Sequence, residues 1–263
     1  MEAGCRDSLP GESDMEKVIA DELVDQTIAD AYSLLGPTDH LLFLVVAGSY
    51  SYGLARPGSD LDIRGVFLKA PEKILSIQNY PDELSLPTGD FKLWSLKKYY
   101  NQLVKGNPQA TEMLFSPEDC ILYSNPLFAP TISSRNVMVS MNTVHAYRGM
   151  GWNQHLSAKQ VKDILSPTYK KAAKHFLRLA FELDNILENG RPDVRITGNQ
   201  LETMNTHINY LPTKDMIPLA ESIMNIADDN IENGCIYPSV KVANPEGFLD
   251  CLHASIYLGV IAS

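Results

Sequence analysis

Gly48-Ser49-Tyr50-Ser51-Tyr52-Gly53-Leu54-Ala55-Arg56-Pro57-Gly58-Ser59-Asp60-Leu61-Asp62 carries the strongest signal in the chain. An apolar run, Leu41–Ala47, feeds into this stretch, and a second, largely apolar run, Ile63–Leu68, leaves it. Each run has the length and composition of a strand, with Gly48-Ser49 turning the chain between them. Side chains alternate along a strand, so Asp60 and Asp62 are expected on one side of the second strand, facing the Gly-Ser turn. A short helix is expected just after Gly48-Ser49, where the Ser49 hydroxyl and amide would meet an anion at a helix N-terminus.

Two carboxylates opposite a Gly-Ser turn suit the holding of a divalent cation against a nucleoside triphosphate. Mg²⁺ takes carboxylate oxygens and retains waters, so two or three aspartates suffice. Gly48 lets the backbone approach phosphates, and Ser49 adds a hydroxyl and an N–H. A third carboxylate is expected on the next strand. Asp90 begins the alternating run Asp90-Phe91-Lys92-Leu93-Trp94, which can pair beside the second strand. Asp82 and Glu83 are the alternatives. The competing reading of Asp60 and Asp62 is a turn followed by a solvated strand edge.

Working outward, Ser13-Asp14-Met15-Glu16 reads as a capping box for a helix that Gly36-Pro37 stops, behind a flexible leader over 1–12. Pro71 opens a helix or loop, and Pro81 and Pro87 mark irregular chain. Ser95 is placed to N-cap a helix with Leu96, Tyr99, Tyr100 and Leu103 on one side and Gly106 at its end. Asn107-Pro108 starts another helix, through Phe115. Beyond Pro126 helical patterns dominate, the longest running over 168–188 up to Asn189-Gly190, with further helices over 218–232 and 246–261. The expected class is α+β: a small mixed sheet with flanking helices over 13–125, then an all-helical region over 126–263 closing a cleft.

At 263 residues the chain can bury a substantial core. Hydrophobic content of 44% and charged content of 21% are those of a soluble protein. No apolar stretch reaches the roughly 18 residues of a membrane span, and the acidic start has no signal-peptide pattern. Cys5, Cys120, Cys235 and Cys251 form no C-x-x-C pair, which fits a reducing, cytoplasmic setting. A net charge of −10 argues against non-specific coating of nucleic acid, while leaving room for a local basic patch.

G-S-x₁₀-D-x-D after an apolar strand, with a later strand Asp, resembles the DNA polymerase β-like nucleotidyltransferase superfamily. Gly48-Ser49, Tyr52-Gly53, Pro57, Ser59-Asp60, Asp62 and Arg64-Gly65-Val66 are similar to one branch, the predicted nucleotidyltransferases associated with RNA repair. Ser95-Leu96-Lys97-Lys98-Tyr99, then Leu103, Lys105-Gly106-Asn107-Pro108 and Glu112-Met113-Leu114, resemble a second stretch of that branch. Lys171, Lys174-His175, Arg178-Leu179, Ile186-Leu187 and Gly190 resemble a third. Tyr50 departs from the pattern, standing where the branch often has a basic residue, and Gly58 departs where a polar one is usual.

The resemblance implies transfer of a nucleoside monophosphate from an NTP to an acceptor hydroxyl, dependent on Mg²⁺ or Mn²⁺, with release of pyrophosphate. Asp60, Asp62 and Asp90 would be the catalytic metal ligands, with Gly48, Ser49 and Ser59 on the nucleotide. Lys171, Lys174, His175 and Arg178 fall at i, i+3, i+4 and i+7, so one helical stripe would carry Lys174, His175 and Arg178 to the distal phosphates. The plainer reading of that stripe is a solvated face paired to Glu182 or Asp184. Arg64 leans towards an ion pair with the aspartates, Glu112 towards a buried salt bridge, and Lys98 is a surface lysine that could reach the cleft. The implied acceptor is an RNA end; a protein or small molecule accepting AMP, or a non-catalytic NTP-binding regulator, are the alternatives.

Overall fold

The computed structural model describes residues 21–87, 90–209 and 215–262. The expected leader and capping box lie outside them. Leu41–Val46 are buried on both faces of a sheet, as an apolar run of this length requires, and form the central strand β1 (His40–Ala47). β2 (Asp62–Leu68) pairs antiparallel to β1, with Ala47 opposite Asp62. The short β3 (Glu83–Ser85), the run beside β2, β4 (Phe91–Ser95), and β5 (Ile121–Ser124) complete a five-stranded sheet in the order β3-β4-β2-β1-β5. β4 runs parallel to β2 and the other pairings are antiparallel, so the sheet is mixed, as expected. Glu83–Ser85, between the two prolines read as irregular chain, and Ile121–Ser124 are strands that period-two patterning does not reveal, being edge strands too short to repeat it.

Both faces of the sheet are covered. α1 (Asp21–Leu34) sets Ala31 against Leu41, Leu44, Val46, Ile63 and Phe67. α2 (Pro71–Leu75) follows β2. α3 (Leu96–Val104) and α4 (Pro108–Leu114) pack on the opposite face against Leu42, Phe43, Val45 and Val66. Consecutive residues Leu42 and Phe43 both reach that face because the β1–β2 register shifts between Leu41 and Phe43. α3 begins as its sequence dictates: the Ser95 hydroxyl accepts from the Lys98 amide, and Leu96, Tyr99, Tyr100 and Leu103 are buried. Asn107 caps α4 by accepting from the Gln109 and Ala110 amides.

After the short α5 (Ala129–Ser133) the chain is helical: α6 (Met141–Gln160), α7 (Pro167–Asn189), α8 (Gly198–Asn209), α9 (Met216–Glu232), α10 (Pro238–Val242) and α11 (Pro245–Ala262). α7 is the axis of a second core, in which Ala173, Phe176, Leu177, Ala180 and Leu183 meet Tyr147 from α6 and Met224 from α9. The Ser166 hydroxyl caps α7 by accepting from the Tyr169 amide, and Gly190, in the left-handed region, ends it. α11 returns to the sheet side, its Leu249 and Ile256 lying in the core under α3. No helix among the described residues is long and apolar enough to cross a membrane.

The two cores meet at the Gly48–Leu54 turn. Leu54 is buried in the helical core, and the Ile196 amide donates to the Tyr52 carbonyl at 3.2 Å. The turn that ends β1 is therefore seated on the helical region, and a cleft opens between it and α7.

Candidate active site

The cleft has a volume of about 690 Å³. Gly48, Ser49, Asp60 and Asp62 line one side, and Lys170, Lys171, Lys174 and His175 of α7 line the other. Arg56 also lines the cleft.

The segment after Gly48 is a chain of turns rather than the expected short helix. Its bonds run from the Tyr52 amide to the Gly48 carbonyl (3.1 Å), the Gly53 amide to Tyr50 (3.1 Å) and the Leu54 amide to Ser49 (2.9 Å). Positive φ at Gly48 (69°) and Gly53 (71°) breaks the helical sequence of dihedrals, so no helix dipole stands behind Ser49. What remains for an anion is the close approach of the Gly48 backbone and the Ser49 hydroxyl and amide. Ser59 has a local partner: its hydroxyl accepts from the Arg56 amide at 2.9 Å, and its own amide donates to the Arg56 carbonyl. This turn closes the loop that precedes Asp60, and Ser59 lines the cleft, with its O–H still able to donate.

Asp62 is the first residue of β2, whereas Asp60 lies two residues before the strand, in the loop. The shared direction expected from strand alternation is therefore set by the Arg56–Ser59 turn instead. Arg64 holds Asp62: Nη2 donates to Asp62 Oδ1 at 3.0 Å, while Nη1 donates to the carbonyls of Ile63 and Asp90 at 2.8 Å each. One guanidinium thus ties the head of β2 to the head of β4, in the ion-pairing role that the sequence favours for it. The Ile63 amide also donates to the Asp90 carbonyl at 2.7 Å. Because Ile63 is in register with Phe91, Asp62 and Asp90 start adjacent parallel strands side by side.

Asp90 itself is exposed and outside the lining of the cleft. The structure brings Asp60 and Asp62 to the cleft and leaves Asp90 at its outer margin. Among the described residues, no three Asp, Glu, His or Cys side chains gather closely enough to hold a metal by themselves. Asp82 and Glu83, the alternatives to Asp90, sit at the far end of β4. Asp82 accepts from the Ser95 hydroxyl and pairs with Lys69 at 2.8 Å, and Glu83 pairs with Lys98 at 2.6 Å and accepts from the Trp94 indole. Lys98 is thereby turned away from the cleft.

The α7 stripe divides in two. Lys174 and His175 line the cleft, partly buried, and burial followed by repulsion from neighbouring cations lowers the pKa of both. For Lys174 those cations are Arg56, Lys171 and Arg178. For His175 they are Arg178, Lys174 and Lys171, and its pKa falls to about 4, so the imidazole is uncharged near neutrality. A cluster of cations that raise one another's cost of protonation is a site short of negative charge.

Arg178 is different. Only 4% exposed, it sends Nη1 to Glu112 Oε1 (2.9 Å) and Glu182 Oε1 (2.8 Å), with the Tyr52 ring 4.0 Å away. Burial works against its charge, and Glu112, Glu182 and Tyr52 overcome that to hold its pKa well above the usual value. Arg178 also lines the cleft, but where a phosphate contact is expected its Nη1 is engaged by two carboxylates. Burial, opposed by Arg178 and reinforced by Glu112, pushes the pKa of the Glu182 carboxyl well above its ordinary range. Glu112 is the buried salt-bridging acid expected, and Tyr52 donates to its Oε2 at 2.7 Å.

Arg56 and Lys170 are cleft residues that the sequence reading passed over. Lys170 was within reach, since it precedes Lys174 by four residues and shares its helical face.

The sequence pattern of the RlaP family, described as the RNA repair pathway DNA polymerase beta family, matches residues 15–212. The chain is also 30% identical over 89 residues to an Enterobacteria phage T4 protein described as an uncharacterized 38.9 kDa protein in the nrdC-mobD intergenic region. That match covers 30% of this chain and 26% of the phage protein. The family match takes in the sheet, the Gly-Ser turn, both cleft aspartates and the whole of α7. The chain belongs to the RNA repair pathway DNA polymerase beta family, and so to the polymerase β-like nucleotidyltransferases.

Proposed function

We propose that the protein transfers a nucleoside monophosphate from an NTP to the terminal hydroxyl of an RNA, releasing pyrophosphate. The observation that carries this reading is that Asp60, Asp62, the Gly48-Ser49 turn, Lys174 and His175 all line one cleft. A triphosphate needs cations at its distal end and hard oxygen ligands near its α-phosphorus. This cleft offers both.

Asp60 and Asp62 fit Mg²⁺ or Mn²⁺, because hard carboxylate oxygens suit these ions and such sites are completed by substrate phosphates and water rather than by a closed protein cage. When bound, the ion would neutralise charge building on the phosphates. The Gly48 backbone and the Ser49 hydroxyl orient the triphosphate. Lys171, Lys174 and His175 receive the β- and γ-phosphates and the departing pyrophosphate. Asp90, at the open margin beside Asp62, accepts a hydrogen bond from the acceptor hydroxyl and aligns its oxygen for in-line attack. The new bond joins that oxygen to the α-phosphorus, the α–β bridging oxygen leaves with pyrophosphate, and the hydroxyl proton passes to solvent. Cys120, Cys235 and Cys251 are free thiols, in keeping with a reducing, cytoplasmic setting.

The test is incubation with α-labelled NTPs and Mg²⁺ or Mn²⁺, in the presence of RNA or of protein acceptors. Label on RNA, lost in Asp62→Asn, is the expected result. Label on protein or on a small molecule would replace the acceptor while keeping the chemistry. Tight NTP binding with no pyrophosphate would make the protein a regulator and end the catalytic reading.

A further inference from the structure

Arg178 is buried, carries a full charge and faces two carboxylates, yet the proposed reaction gives it nothing to do. Its surroundings indicate a task. Glu112 comes from α4 on the sheet side, Glu182 and Arg178 from α7, and Tyr52 from the turn that holds Gly48 and Ser49. The Tyr52 hydroxyl donates to the same Glu112 carboxylate that Arg178 grips, and the guanidinium stacks over the Tyr52 ring. Three separate segments therefore converge on one buried ionic network, and one of them is the phosphate-facing turn.

We propose that Tyr52, Glu112 and Arg178 act as positioning residues that fix the Gly48–Leu54 turn at a set distance from the basic wall of α7. This inference rests on the nucleotidyl-transfer reading above and deepens it. The triphosphate must bridge the turn and Lys174 and His175, so the separation of the two decides where the α-phosphorus lies relative to Asp60 and Asp62. The backbone of the turn is held from within by the Tyr52-to-Gly48 and Leu54-to-Ser49 bonds, so an anchor on Tyr52 is transmitted to both phosphate-facing residues. A guanidinium suits this task, because its Nη1 donates to both carboxylates while the group lies against the Tyr52 ring. Burial, then the charge on Glu112, keeps the Tyr52 phenol protonated and hence a donor.

The experiment compares the full chain with Tyr52→Phe, which keeps the ring and removes only the bond to Glu112, and with Arg178→Lys as a second variant. Four quantities are read: NTP-binding stoichiometry with Mg²⁺, KM for NTP, turnover per bound NTP, and hydrogen exchange of the amides over 50–54. The expected result is full stoichiometry, KM for NTP within about twofold, turnover per bound NTP about tenfold lower, and faster exchange in the turn. A merely structural role would instead lower the stoichiometry in step with activity. Turnover that stays unchanged overturns the proposal whatever the exchange rates do, and so does slower turnover traced wholly to lost binding sites. Should the unsubstituted chain bind NTP without turnover, the function proposed above fails by itself. The exchange readout then decides the anchoring alone: faster exchange supports it and unchanged exchange overturns it.

Discussion

The carboxylate of Asp62 occupies the space that a side chain on residue 48 would need: a Cβ built on Gly48 overlaps Asp62 Oδ2. Gly48 also has φ of 69°, so both conformation and volume demand glycine there. Gly48→Ala should cost about 1–2 kcal/mol of stability from the left-handed backbone. Its larger effect should be on turnover, lowered about 100-fold as the Asp62 oxygens are displaced by a fraction of an ångström to an ångström. Denaturant unfolding beside NTP turnover checks this. A variant that unfolds earlier but turns over normally would mean that the turn does not set the position of Asp62.

Acidification offers a test of the α7 wall. The folded His175 pKa is about 4 against an ordinary 6.5, so between those values the unfolded chain binds more protons than the folded one. Stability contributed at this site is thus intact above pH 6.5 and falls as pH drops towards 4, by at most about 3 kcal/mol. His175→Gln should flatten that loss. Bringing a triphosphate beside the imidazole raises its pKa, so NTP binding near pH 6 should take up protons. Calorimetry in two buffers of different ionisation enthalpy measures the uptake, which should vanish in His175→Gln.

Arg178 shows how far the sequence could be read. The spacing of Lys171, Lys174, His175 and Arg178 places them on one stripe, and helical geometry alone makes that visible. The stripe divides in space because α7 is packed on several sides, which puts Arg178 between Glu182, one turn along, and Glu112 of α4, 66 positions away in sequence. No local pattern reports a partner at that distance. The same limit explains the other differences. β1, β2 and β4 were legible because central strands are long and apolar, as was the α3 cap, since Ser95 acts on its own helix. β3 and β5 were not, because edge strands of three and four residues carry no periodicity. The turn after Gly48 reads as a helix start until its pairing with Ile196 and the seating of Tyr52 are known.

Removing Arg178 leaves Glu112 and Glu182 facing each other in a buried site. Arg178→Ala should therefore destabilise the fold by about 3–5 kcal/mol, far more than loss of a surface phosphate contact would. Adding Glu182→Gln should recover part of the loss, because one of the two carboxyls is neutralised and can still hydrogen bond. Urea unfolding of the single and double variants checks the coupling. Additive effects would show that the two side chains are energetically independent despite their 2.8 Å contact.

The proposal of Asp90 as the third carboxylate rests on which end of β4 it occupies. Asp82 and Glu83 flank the C-terminal end, where Glu83 is in register with Trp94 and both acids are saturated by Lys69, Ser95 and Lys98. Asp90 leads into the N-terminal end, beside Asp62, with its backbone fixed by Ile63 and Arg64. Asp90→Asn should lower turnover about 100-fold with little change in NTP affinity, because a group that aligns the acceptor oxygen acts in the transition state and not on the bound nucleotide. Asp82→Asn should keep turnover within about twofold and cost up to about 1 kcal/mol of stability, as befits a half-exposed ion pair. The reverse outcome, with turnover lost at Asp82 and kept at Asp90, would overturn this placement of the third carboxylate. The parallel pairing of Ile63 with Phe91 through Phe67 with Ser95 is what sets Asp90, and not Asp82, beside Asp62.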